Sequence, residues 1–147
     1  MWEIAAFTRD LASIEEQTAV SAILETNLKA QKYGLALSEK DAREIMASRN
    51  YVLKSLGRVE LGIDVINKII SVFCTSPYIN QSDYTVIIND LVEGFYYMKN
   101  ETRDKVDDDD LIALMKKYFD DRCHGSVELL LNRELGTLAR YIREGRL

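Results

Sequence analysis

Carboxylates at Glu60 and Asp64 stand four residues apart, the spacing that puts two side chains on one face of a helix. Turned inward, such a pair would share a metal ion or titrate as a coupled acid and base; turned outward, it is a solvated strip. Helical nucleotide hydrolases gather several acidic positions from different helices. No second matching pair is found here, although Glu39 and Glu44 are near in sequence. Cys123 and His124, the latter the only histidine, are the residue types that bind zinc or form a nucleophile with its base. Neighbours on a helix diverge by about 100°, so the two do not easily chelate one ion, and a catalytic pair must converge. Only Cys74 could add a further thiolate. The plainer reading is a small buried thiol beside a polar side chain near a helix end.

The run Asp107-Asp108-Asp109-Asp110 offers oxygen ligands for Mg²⁺ or Ca²⁺, but Leu111 and Ile112 fall where a calcium loop needs a ligand and a glycine. The run reads as a capped helix start, its carboxylates favouring the positive end of the helix dipole. Arg122, Arg133, Arg140 and Arg143 make the C-terminal end locally basic, suited to an anion, an acidic partner patch or plain solvation. A helix-turn-helix can be drawn from Ser38 through Gly57, with Arg43, Arg49, Lys54 and Arg58 lending charge. Its second helix would open on Glu60 and Asp64 and then turn apolar, the reverse of a major-groove reader. No Gly-rich phosphate loop, nucleophile elbow, His-Glu-x-x-His or dinucleotide fingerprint occurs. The sequence therefore assigns no metal, no cofactor and no nucleic acid.

Composition agrees. A chain of 147 residues that is 47% hydrophobic suits a single domain, and one proline with seven glycines leaves no linker or low-complexity tail. A net charge of -5 disfavours phosphate backbones and anionic lipid. Two cysteines and the absence of a signal-like start lead to the expectation of a cytoplasmic protein, and no apolar run reaches membrane-spanning length.

The elements that must position these residues are marked by glycines just past periodic segments, at Gly34, Gly57, Gly125 and Gly145, as left-handed helix ends require. Side-chain oxygens for helix starts stand at Ser38 with Asp41, Ser82 after Gln81, Asp107 with Asp110, and Ser126. The spacing predicts six helices, at about 13–32, 39–56, 59–74, 82–102, 108–123 and 127–143, after a possible arm over 1–12. The second carries Ile45, Met46, Tyr51, Val52, Leu53 and Leu56 as a broad buried stripe. The third is apolar nearly all round, from Val59 and Leu61 to Phe73, with Glu60, Asp64, Asn67 and Ser71 as its polar strip. The expected fold is thus an all-α, single-domain bundle of about six helices with the 59–74 helix central.

Apolar side chains exceed what one core absorbs. A helix that buries Phe95 and Met98 leaves Tyr96 or Tyr97 at its flank, and Trp2, Phe7 and Leu11 make a second surplus on the arm. Such aromatics are typical of subunit interfaces, where symmetric homodimers are the commonest outcome. The interior glycines Gly62, Gly94 and Gly136 mark either close helix crossings or local breaks.

At Gly57-Arg58-Val59-Glu60-Leu61-Gly62, Ser76-Pro77-Tyr78-Ile79, Phe95-Tyr96-Tyr97-Met98-Lys99-Asn100-Glu101-Thr102 and Arg122-Cys123-His124-Gly125-Ser126-Val127-Glu128-Leu129-Leu130, the chain resembles an uncharacterised family of small proteins from clostridia-like Firmicutes. The resemblance runs from about Glu25 onward. It implies a bacterial cytoplasmic protein and transfers no catalytic residue. Two functions remain. One is a non-catalytic interaction protein that self-associates, with a protein partner as a further option, through Trp2, Phe7, Tyr96 and Tyr97. The other is a small enzyme or ligand- or metal-binding protein whose pocket gathers Glu60, Asp64, Arg122 and His124.

Overall fold

Ser38 starts the helix around which the N-terminal half is arranged: its hydroxyl accepts from the Asp41 N–H at 3.1 Å while the Ser38 N–H donates to the Asp41 carboxylate at 2.9 Å. This reciprocal cap satisfies two backbone donors that a helix start otherwise leaves open. The computed structural model describes residues 15–146. Among these the chain is helical, without strands, and folds as one domain. Helix α1 covers residues 15–24; α2 is Asn27–Ala30, extended by a 3₁₀ turn at Gln31–Tyr33; α3 is Glu39–Ser55 and α4 Asp64–Phe73. A second 3₁₀ turn, Gln81–Asp83, leads into α5, Tyr84–Glu101; α6 is Asp108–Asp121. The last rod runs as α7, Val127–Leu129, a π-helical turn at Leu130–Glu134, and α8, Leu135–Arg143.

The glycine ends hold, whereas the expected caps hold only in part: Asp107 stands at the N-cap of α6 without a side-chain cap hydrogen bond. Gly34, Gly57, Gly125 and Gly145 all have positive φ. Ser126 accepts from the Leu129 N–H at 3.2 Å to cap the last rod. Ahead of α5, however, the reciprocal cap belongs to Asn80 and Asp83, and Ser82 takes no part. Gly125 answers two demands at once: its φ is +84°, and a Cβ there would lie 2.2 Å from Cβ of Tyr78.

Two elements differ from the expectation: the first helix, expected over about 13–32, is interrupted by a turn at 25–26, and the third starts later. The third helix begins at Asp64, and residues 58–63 are an irregular loop with Val59 89% and Leu61 99% exposed. The reason lies on α3. Arg49, 7% exposed, donates to the carbonyls of Glu60, at 2.8 Å, and of Gly62. A helix begun at 59 would need those carbonyls for its own N–H groups at 64 and 66. Glycine at 62 lowers the cost of giving that helix up.

From Asp64 onward the apolar stripe behaves as expected. Val65, Ile66, Ile69, Ile70 and Phe73 are buried, and α4 sits inside the bundle against α2, α5 and α6. Its Phe73 meets Phe119 of α6 edge to face at 5.5 Å. The longest helix, α5, shares the centre, packing on α3, α4, α7 and α8 and burying Tyr84, Ile88, Leu91, Phe95 and Met98. Loops are held by side chains from these helices. The nearly buried Lys99 donates to the Val106 carbonyl at 2.6 Å and pairs with Asp108 at 2.9 Å. Arg58 grips Asp104 with two nitrogens, at 2.6 and 3.2 Å. Asp120 receives the Ser76 hydroxyl at 2.7 Å and the Lys116 ammonium.

Candidate functional site

The four residues proposed for a ligand pocket do not meet. Glu60 lies in the 58–63 loop, beside Arg49 and the hydroxyl of Tyr96. Asp64 opens α4 on its exposed side, and its charge is felt by Lys68, which pairs with Asp109 at 2.9 Å. The loop therefore breaks the helical face that was to carry Glu60 and Asp64 as a pair. At the other end, Arg122 lies over the Tyr118 ring at 4.4 Å and reaches Glu134 at 3.6 Å. His124 takes a left-handed conformation at φ 48°, with Nδ1 3.5 Å from the Tyr78 hydroxyl. Among the described residues, no hydrogen bond, ion pair or hollow joins Glu60 or Asp64 to Arg122 or His124.

The remaining reactive side chains are likewise occupied or enclosed. Asp108 and Asp109 are taken by Lys99 and Lys68 at the start of α6. Among the described residues, no group of three or more His, Cys, Asp or Glu is placed to hold a metal ion. Cys74 and Cys123 are buried, and burial pushes both thiols up, away from the reactive thiolate. Of the four cations in the helix-turn-helix reading, Arg43 pairs with Glu16 and Glu39, Arg49 is buried, and Arg58 pairs with Asp104. That leaves Lys54.

Apolar side chains open to solvent are the more informative feature. Tyr97 is half exposed, as the crowding of α5 requires, but its neighbour Tyr96 is only 1% exposed. Tyr96 is therefore corrected from interface to core: the seam between α5, Arg49 and the 58–63 loop covers it. Burial first, and then the negative charge of Glu60, hold its phenol well above the ordinary range. Tyr51, expected in the buried stripe of α3, is 74% exposed. The helix buries Ala42, Ile45, Met46, Arg49, Val52 and Leu53, a face of period 3.6 that Tyr51 misses. Counting the register from Ile45 finds this; composition alone does not. Trp2 and Phe7, with the arm over 1–12, lie outside the described residues.

Tyr51 and Tyr97 flank one concavity of about 360 Å³. Val52 of α3, Leu56 just past its end, Gly94 of α5, Leu131 of the π-helical turn and Leu135 of α8 complete its apolar lining. Gly94 is the close crossing among the interior glycines, since a Cβ there would come within 2.4 Å of Leu131 Cδ2. Gly62 sits in the local break, and nothing lies within 4 Å of a Cβ at Gly136. The groove was not foreseen in the sequence, because it depends on the π-helical turn that carries Leu131.

Residues 22–147 match the signature of a family of unknown function (DUF6323). The chain belongs to that family. No curated protein and no solved structure matches it. The family's span includes the 58–63 loop, the groove and the end of α6 alike, and among the described residues no helix is long and apolar enough to cross a membrane.

Proposed function

We propose that the chain is a non-catalytic helical module that associates with a second copy of itself through the groove between Tyr51 and Tyr97. The observation that supports this reading is an open groove whose apolar floor joins the partly buried Leu56 and Leu131 to the buried Val52 and Leu135, flanked by two exposed tyrosines. Tyrosine suits such a surface: it supplies a large contact area at low conformational cost, with a hydroxyl that tolerates water before association. The scattering of Glu60, Asp64, Arg122 and His124 gives the enzyme reading no common cleft to work in. The further reading of a bacterial cytoplasmic homodimer, with Trp2 and Phe7 contributing to the contact, rests on the resemblance and on the apolar excess of the sequence.

Sedimentation velocity across a concentration series tests the proposal. The wild-type chain is expected to pass from monomer to dimer, and Tyr97→Asp to stay monomeric with an unchanged helical circular dichroism spectrum. A wild-type chain that remains monomeric at the highest soluble concentration would overturn it.

A further inference from the structure

We infer that the other half of this contact is the 58–63 loop: Val59 and Leu61 of one protomer enter the Tyr51–Tyr97 groove of a second copy, and the exchange is reciprocal. This rests on the self-association reading and adds the identity of the docking element.

The loop is built to project. Val59 and Leu61 are its two most exposed side chains, and neither is covered by the groove of its own protomer. Flexible loops shed apolar side chains from water by collapsing; this one is fixed at three points. Arg49 holds the Glu60 and Gly62 carbonyls from beneath, and Arg58, at its first position, is forked onto Asp104 of the α5–α6 connection. Burying a guanidinium to hold two carbonyls costs solvation, and its return here is a loop held open with its aliphatic side chains in water. A pre-ordered projection loses little conformational freedom when it docks.

The groove matches it in chemistry and in charge. Its floor is aliphatic, and a valine with a leucine is the kind of knob that 360 Å³ accepts. Lys54 lines the hollow beside Val59, and Glu93 lines the groove beside Tyr97. Both are exposed, and neither has an ion-pair partner among the described residues. Seating the loop in a second copy brings these opposite charges to the same rim. Both surfaces meet at the C-terminal end of α3, where Ser55 and the following Leu56 line the groove and Gly57 lines the hollow. A two-fold axis near that turn therefore lets each copy give its loop and receive the other's.

Mixing two variants provides the test. Val59→Ser/Leu61→Asp carries an intact groove and no knob; Tyr97→Asp carries an intact knob and a damaged groove. Each alone is expected to weaken the dimer at least tenfold, and an equimolar mixture to recover a heterodimer, because one knob–groove contact survives between them. Charge reversal supplies a second readout: Lys54→Glu weakens the dimer, and Lys54→Glu/Glu93→Lys restores it. If Tyr97→Asp dissociates the dimer while Val59→Ser/Leu61→Asp does not, the groove packs on something other than the loop; this inference fails and self-association through the groove stands. If both variants are monomeric and do not recover on mixing, knob and groove are not partners and the inference fails. If both remain dimeric, the contact lies elsewhere, residues 1–14 being the next to delete, and both readings fall.

Discussion

Tyr84 and Tyr96 are both buried in the bundle, and neither hydroxyl has a well-formed hydrogen bond among the described residues. Tyr96 still has Arg49 and Glu60 close by, whereas Tyr84 is wholly enclosed. Burial, helped by the nearby Cys74, holds the Tyr84 phenol well above its ordinary range. An enclosed hydroxyl without a partner carries a desolvation penalty and no compensating bond. Tyr84→Phe is therefore expected to raise stability by about 1 kcal/mol, read as a higher urea midpoint at unchanged slope. A lower midpoint would mean that a buried water satisfies the hydroxyl. Single residues were also where the sequence was hardest to read. Arg49 looked like a surface cation lending charge to a DNA reader, and nothing in the pattern of α3 sets it apart except that it falls on the buried face with Ile45, Met46, Val52 and Leu53.

Elements follow the sequence where local chemistry decides and depart from it where a distant side chain intervenes. The capped start at Ser38 and the four glycine ends lie in the sequence because each is settled within a few residues. The start of α4 does not, since the carbonyls that would begin a helix at 59 are claimed by Arg49 from another helix. The π-helical turn at Leu130–Glu134 was equally invisible, and it is what sets Leu131 against Gly94. The loop before α4 is also joined to the α5–α6 connection by charge, which gives it a pH dependence. Arg58 beside Asp104 holds that carboxyl below the usual range, with Lys99 helping. A carboxyl depressed in the folded state contributes stability above its unfolded pKa of about 3.9, and the contribution is lost as pH falls through the lower folded value. Because the Asp104 side chain is half exposed, the pair is worth less than about 1 kcal/mol, enough to loosen the loop and not the domain. Amide exchange protection over 58–63 is expected to fall below about pH 4 relative to the bundle core. In Asp104→Asn that step should be absent.

At the scale of the whole molecule, the bundle encloses one continuous core, and Tyr51, Val59, Leu61 and Tyr97 are four of its exposed large apolar side chains, set on the 58–63 loop and at the groove between α3, α5 and the last rod, with Leu28 and Val86 exposed elsewhere. A dimer formed across the loop and the groove ties folding to association, because ligand-like binding of the native state adds to stability by mass action. The thermal midpoint is accordingly expected to rise with protein concentration for the wild-type chain and to be flat for Tyr97→Asp, a comparison that scanning calorimetry makes directly. A midpoint independent of concentration in both would count against association. The all-α architecture and its single domain were readable from periodicity, since apolar spacing reports which faces seek a core. That surface was half readable: crowding on α5 required an outward tyrosine, whereas Tyr51 and the groove floor come into view only when three helices are brought together.

Gly125 and Tyr78 carry a consequence for how sequences of this family diverge. The Tyr78 side chain occupies the space where any other residue at position 125 would place its first carbon, and the backbone there is one that side chains resist in any case. A mutation at 125 thus does double harm that no single change at 78 repairs, while shortening Tyr78 alone takes away the ring neighbour of His124. The two positions are therefore coupled through the backbone and not only through the ring. The atom closest to a side chain at 125 is Tyr78 Cβ, which every residue but glycine carries, so losing the ring alone does not free position 125, and replacing Gly125 means moving one segment and rebuilding the turn.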